Sequence, residues 1–108
     1  MPQFSTRNLD LPEKVISDFC KRWRISEFAL FGSVLRDDFD TESDVDILVA
    51  SAPDADWSLL DHVQMEQELE ALLGRKVDLL SRRSVERSSN WLRRREILDT
   101  AEVVYASR

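Results

Sequence analysis

Two hydrophobic spacings take turns along this chain. In residues 10–23, "DLPEKVISDFCKRW", Val15, Ile16, Phe19, Cys20 and Trp23 recur three and four apart, which predicts a helix with one buried stripe. Asp10 and Glu13 stand at capping-box spacing before it, and Pro12 suits a first turn. "EFALF" then reads as a short strand ending at Gly32, and "SDVDILVA" as a second strand. The polar interval between them, Ser33 to Ser43, is expected to hold one helical turn and a loop. "SAPDAD" is loop chemistry, with Pro53 as the breaker. "WSLLDHVQMEQELEALLG" is the clearest helix, with Leu59, Val63, Met65, Leu69, Leu72 and Leu73 in one broad face and Gly74 at the expected C-terminal cap. "KVDLLS" predicts a third strand. "SVERSSNWLRRREILDTA" predicts helix with a break near Asn90, and "EVVYA" a fourth, edge strand. Helices and strands interleave, so the expected class is α/β or α+β with a small mixed sheet.

The length, 108 residues, predicts one domain spanning 1–108 with a modest core. No apolar run approaches 18 residues and "MPQFSTRNLD" has no signal-peptide core, so a cytoplasmic protein without a membrane span is expected. The single cysteine, Cys20, excludes an internal disulfide and reads as a packed thiol. The net charge of −6 disfavours indiscriminate nucleic-acid binding. That charge is uneven. Residues 1–74 carry 6 basic and 16 acidic side chains, whereas 75–108 carry 9 and 5. A basic C-terminal third suits an anionic ligand or acidic partner, or is simply a solvated helix face.

Two strands share one anomaly. Val45-Asp46-Ile47 and Val77-Asp78-Leu79 each set an acid between apolar neighbours, and Asp44 shares its strand face with Asp46. Aspartate is depleted in strands because it competes for backbone hydrogen bonds. Should the strands lie in register, three carboxylates converge, and two anions 4 Å apart repel by about 4 kcal/mol at an effective dielectric near 20. A cation or a shared proton must then neutralise them. Magnesium takes carboxylate and phosphate oxygens, and a pair of such ions can clamp an in-line phosphoryl displacement. Taken singly, each acid reads equally well as structural: Asp44 as a turn residue, Asp78 as a solvent-facing strand residue. Asp46 is the hardest to dismiss, because Ile47, Leu48 and Val49 commit it to the strand.

Gly32 and Ser33 supply the complementary part. Glycine after a strand lets the backbone turn and approach a ligand, and Ser33 adds a hydroxyl donor where free N–H groups favour an anion. Gly-Ser alone is a weak signal. Followed eleven residues later by Asp-x-Asp leading an apolar strand, it is a strong one.

At these residues the sequence resembles the minimal nucleotidyltransferases of the HEPN/MNT toxin–antitoxin type, within the DNA polymerase β-like superfamily. Gly32-Ser33, Asp44-x-Asp46 and the third acid, Asp78, carry the likeness, together with "FGSVLRDDFDTESDVDILV" and "LLGRKVDLLS". The resemblance implies a small mixed sheet flanked by helices, two Mg²⁺ ions and transfer of a nucleoside monophosphate from a triphosphate such as ATP. It implies that Asp44 and Asp46 ligate both metals, and that Asp78 ligates the catalytic one and assists deprotonation of the attacking hydroxyl. Gly32 and Ser33 would hold the triphosphate, and Arg36 matches a frequent family arginine, expected at the nucleotide, with a salt bridge to the acidic loop as its alternative. One departure is that "RDDFDTESD" is more acidic than the glycine-containing loop such proteins are expected to have. Small members act as antitoxins that adenylylate a tyrosine of a HEPN-domain ribonuclease toxin, so a hetero-complex with such a toxin is implied.

The rival reading is a non-catalytic antitoxin that masks its toxin by contact. A third, modification of a small hydroxylated molecule such as an aminoglycoside, would need a partner chain to complete the site. Among weaker features, His62 and Glu66 lie one turn apart and read as a hydrogen-bonded pair at a helix margin rather than an acid/base pair. Trp57 and Trp91 are expected over core edges. The run Arg93-Arg94-Arg95 reads first as a solvated face, then as a contact for a partner or phosphate; direct nucleic-acid binding is not expected, since no aromatics interleave.

Overall fold

Helical spacing at residues 15–23 does produce a helix in the computed structural model, which describes residues 3–5, 10–32, 44–53 and 55–106. Helix α1 spans Glu13–Trp23 and buries Ile16, Phe19 and Cys20, while Val15 lies outward and Trp23 is half-buried. The N-cap position falls on Pro12. Gln3–Ser5 (β1) and Asp10–Pro12 (β2) form an antiparallel hairpin, so residue 10 is committed to a ladder and Pro12 becomes the N-cap without a side-chain bond. At the other end Arg24 takes the left-handed conformation and returns its N–H to the Cys20 and Lys21 carbonyls.

Strands β3 (Ile25–Phe31), β4 (Val45–Ser51), β5 (Val77–Ser81) and β6 (Glu102–Ala106) form one sheet in the order β5-β4-β3-β6. The β3–β4 and β3–β6 pairs are antiparallel, and β4–β5 is parallel. The expected mixed sheet with EVVYA at its edge is therefore present. A parallel pair needs a crossover, and helix α2 (Leu59–Leu73) supplies it. Ser58 and Asp61 close a capping box at its start, and Gly74 ends it in the left-handed conformation. Arg82–Glu86 (α3) and Trp91–Thr100 (α4) follow β5, and Asn90 caps α4 by accepting the Arg93 N–H. The break thus falls at the asparagine marked by the sequence.

Alternation along the strands sorts the core into two layers. Phe28, Leu30, Val45, Ile47, Val49 and Leu79 face α1 and α2, with Phe19 and Phe28 meeting edge to face at 6.5 Å between ring centroids. Ala29, Phe31 and Leu48 face the other way, against Val85 of α3 and Ile97 of α4. The expected apolar face of α2 is narrower than its leucines suggest. Met65 and Leu69 are buried, but Leu59 is 80% exposed, and Val63 and Leu72 are also exposed. Trp57 does pack on the core edge, donating Nε1–H to the Trp23 carbonyl at 2.9 Å, whereas Trp91 is exposed. Among the described residues no helix is long and apolar enough to cross a membrane. The expectation for the Ser33–Ser43 interval falls outside the described residues.

Candidate active site

The parallel register decides where the acids go. Asp46 of β4 stands opposite Asp78 of β5, and Val45 opposite Val77. Register partners in a sheet project to the same face. Here it is the face of Leu48 and Leu80, which pack toward α3 and α4. One row nearer the start of the two strands that cover ends, leaving Asp46 half-buried and Asp78 exposed. Asp44 is exposed and sits one residue before β4, two before Asp46.

Across the other side of β4, Phe31 is the register partner of Asp46, and Gly32 follows it with φ +70. A Cβ on Gly32 would collide with Asp46 Oδ2 and lie 3.1 Å from Asp46 Cγ. Both the left-handed backbone and the carboxylate therefore demand glycine here. Gly32 does end β3 in the left-handed conformation, and its absent side chain leaves the space that Asp46 occupies. Ser33 and Arg36, the other predicted triphosphate contacts, lie outside the described residues.

These residues suit a hard dication in their donor chemistry. Magnesium is held by one or two carboxylates and completes its shell with water and phosphate oxygens. The Asp46–Asp78 pair offers two on one face, and Asp44 precedes Asp46 by two residues. Among the described residues, which include all three aspartates, no group of three or more His, Cys, Asp or Glu comes together closely enough to hold a metal ion, so the convergence of three carboxylates expected from the sequence is not found; the register brings two of them, Asp46 and Asp78, side by side.

Helix α2 fixes β5, and so Asp78, in a way the sequence only half revealed. β5 is a sheet edge, and its outward backbone groups need partners. Glu70 Oε2 accepts the Val77 N–H at 3.0 Å, and Glu66 Oε2 accepts the Leu79 N–H at 3.1 Å. His62 Nε2–H donates to the Leu79 carbonyl at 2.8 Å, which fixes its tautomer. His62 and Glu66 do not pair with each other as expected; with Glu70 they form a ladder at i, i+4 and i+8 on either side of Asp78. That spacing was visible in the sequence, but its partner strand was not.

Cys20 is fully buried, and burial pushes its thiol from 9.0 up to about 12. It is an inert packing residue. A separate cavity of about 380 Å³ lies toward the far ends of β4 and β5, lined by Val49, Ser51, Trp57, His62, Ser81 and Arg83 among others, and it contains none of the predicted site residues.

Comparison with known proteins gives the chain its family. The nucleotidyltransferase domain family matches residues 12–104. Protein adenylyltransferase MntA of Thermococcus cleftensis is 42% identical over 67 residues, covering 60% of this chain and 64% of that protein. A crystal structure of a toxin–antitoxin with AMP-PNP shares the fold, with a TM-score of 0.69 and 21% identity over 91% of this chain and 76% of that one. So does the structure of a tri-AMPylated Shewanella oneidensis HEPN toxin in complex with MNT antitoxin, with a TM-score of 0.60 and 21% identity over 88% of this chain and 70% of that one. The chain belongs to the nucleotidyltransferase domain family, and minimal nucleotidyltransferases of toxin–antitoxin systems are among its structural neighbours.

Proposed function

We propose that this chain, acting as one nucleotidyltransferase domain in the cytoplasm, is a Mg²⁺-dependent protein adenylyltransferase of the antitoxin type. It transfers AMP from ATP to a tyrosine hydroxyl of a HEPN-type toxin and so neutralises it. The observation that carries this reading is the register of Asp46 against Asp78 beside the Gly32 turn. The fold family supplies the reaction class. The names of a relative and of two structural neighbours point to adenylylation, an ATP analogue and a HEPN partner.

In this mechanism the tyrosine oxygen attacks the α-phosphorus, a new P–O bond forms, and the bond to the β-phosphate oxygen breaks. Pyrophosphate leaves with the electron pair. Asp78, exposed where Asp46 is half-buried, takes the hydroxyl proton. Asp44, Asp46 and Asp78 would hold two Mg²⁺ ions, whose chemistry is to lower the hydroxyl pKa and stabilise the leaving charge. Gly32, Ser33 and Arg36 would grip the triphosphate. Most of the rate gain is positioning and charge compensation by groups already in place.

The test is co-expression with the product of the adjacent reading frame, followed by intact-mass measurement of that partner. Whole AMP units on the partner, absent with Asp46→Asn, are the expected result. An unmodified partner in a stoichiometric complex would instead establish neutralisation by masking. Full transfer by Asp46→Asn would remove the metal site from the mechanism.

A further inference from the structure

Helix α4 carries three consecutive arginines, and the structure gives them different surroundings. Arg94 Nη1 donates to the Glu86 carbonyl at 3.2 Å, and Arg95 Nε reaches Asp99 Oδ2 at 3.4 Å. Arg93 uses only its backbone N–H, on Asn90 Oδ1. Its guanidinium has no hydrogen-bond or ion-pair partner among the described residues. Arg93 stands four residues before Ile97, which packs on Phe31 and Leu48, so it lies over the same sheet face as Asp46. There it lines a cavity of about 140 Å³ together with Phe31, Gly32, Glu96, Ile97 and Thr100.

The surroundings of that cavity are specific. Gly32 lines it, and the same glycine abuts the Asp46 carboxylate. Arg93 adds to the same lining a planar cation with paired donors. A space of this size is smaller than the roughly 300 Å³ at which pockets begin to hold whole organic ligands, but it suits a phosphate group. A nucleoside triphosphate brought to Asp46 and Asp78 carries several negative charges into a region already acidic. Arginine matches phosphate oxygens in bidentate fashion and keeps its charge at any working pH.

We propose that Arg93 is a further nucleotide-binding residue, taking the β- and γ-phosphate oxygens of the donor and remaining on pyrophosphate as it leaves. This rests on the adenylyltransferase reading above, because a reaction at the α-phosphorus beside the carboxylates puts the leaving phosphates beyond them. Glu96 is the one carboxylate among the residues lining the cavity, and it makes no ion pair with Arg93 among the described residues. It opposes the bound charge.

The experiment is equilibrium binding of ATP, pyrophosphate and AMP to the full chain with Mg²⁺, paired with AMP transfer to the partner. Arg93→Ala is expected to weaken ATP and pyrophosphate by about tenfold or more and to leave AMP affinity and the thermal midpoint unchanged. Arg93→Lys should recover part of the loss, Arg95→Ala should bind like wild type, and Glu96→Gln should bind ATP more tightly. In transfer, Arg93→Ala should raise KM for ATP, whereas Asp46→Asn removes kcat. Wild-type ATP binding by Arg93→Ala, or an equal loss of AMP and ATP, overturns the assignment while an inactive Asp46→Asn leaves the enzyme reading intact. Weakened ATP binding without any AMP transfer by wild type sinks the enzyme reading and keeps Arg93 as a phosphate ligand. No ATP binding by wild type overturns both.

Discussion

The two faces of the four-stranded sheet are covered unequally. Among the described residues, a cluster of thirteen buried side chains lies toward α1 and α2. Toward α3 and α4 lies one of five. The first face carries most of the buried core, and no acid of β4 or β5 projects into it. The second is sealed only across the middle, and Asp46 and Asp78 occupy the row where the cover stops. A strand that alternates sides can thus serve both purposes at once: Val45 and Ile47 hold it in place while Asp46 faces an open edge. The inequality is what makes charge in a sheet affordable, since a carboxylate under α1 or α2 would lose its water with no compensating partner.

The sharpest way to break the comparison is to cut one large side chain from each layer. Phe28 is fully buried and stacks edge to face with Phe19. Phe28→Ala should cost about 3–5 kcal/mol in urea unfolding, and Ile97→Ala in the thinner layer about 2 kcal/mol. Equal losses would mean that the second layer carries as much of the fold as the first.

The next effect sits between the faces, at the β5 edge. Glu70→Ala leaves the Val77 N–H without its acceptor, and Glu66→Ala does the same to Leu79. Each should cost about 1–3 kcal/mol and speed amide exchange at the affected strand residue. AMP transfer should fall as well, because Asp78 lies between the two bonds. Unchanged exchange at Val77 and Leu79 would show that the ladder does not hold the strand.

A smaller effect reports on the sealed face through pH. The Cys20 thiol holds its proton up to about 12 in the folded chain against an ordinary 9.0. Between those values the unfolded chain binds fewer protons than the folded one, so stability falls as pH rises. One such group contributes a slope of about 1.4 kcal/mol per pH unit. Below 9.0 wild type and Cys20→Ala should differ by a constant amount, and above it the wild type should lose ground. Parallel pH profiles would mean that water reaches the thiol.

How much of this was legible beforehand follows the same division. The strand acids stood out because alternation leaves Asp46 no choice once Ile47 and Val49 are inside. Gly32 and Gly74 were legible because each ends an apolar run. The β1–β2 hairpin was not, since three-residue strands carry no period to read. The buried face of α2 was misjudged because leucines occur on several sides of that helix, and only packing selects Met65 and Leu69. Arg93 could not be told from Arg94 and Arg95, because identical neighbours differ only in helix phase. Asp46 and Asp78 were visible as a pair of anomalies, but their register is a property of the sheet and appears only when β4 and β5 are placed side by side.

The smallest stability effect carries the most about function. Asp78 is exposed, and its register partner is another carboxylate. For the fold alone Asp78→Asn should be nearly neutral, within about 0.5 kcal/mol, and any change should favour the variant, most of all at low salt where repulsion is least screened. The strand would hold as well with an amide as with a charge. AMP transfer should nevertheless fall by at least about a hundredfold if that charge is used in the reaction. A loss of activity matched by a loss of stability would make Asp78 a structural residue of the β5 edge. A loss of activity with stability kept or raised means the like-charged pair is maintained against the interest of the fold, which a carboxylate site for cations and phosphates explains and a scaffold does not.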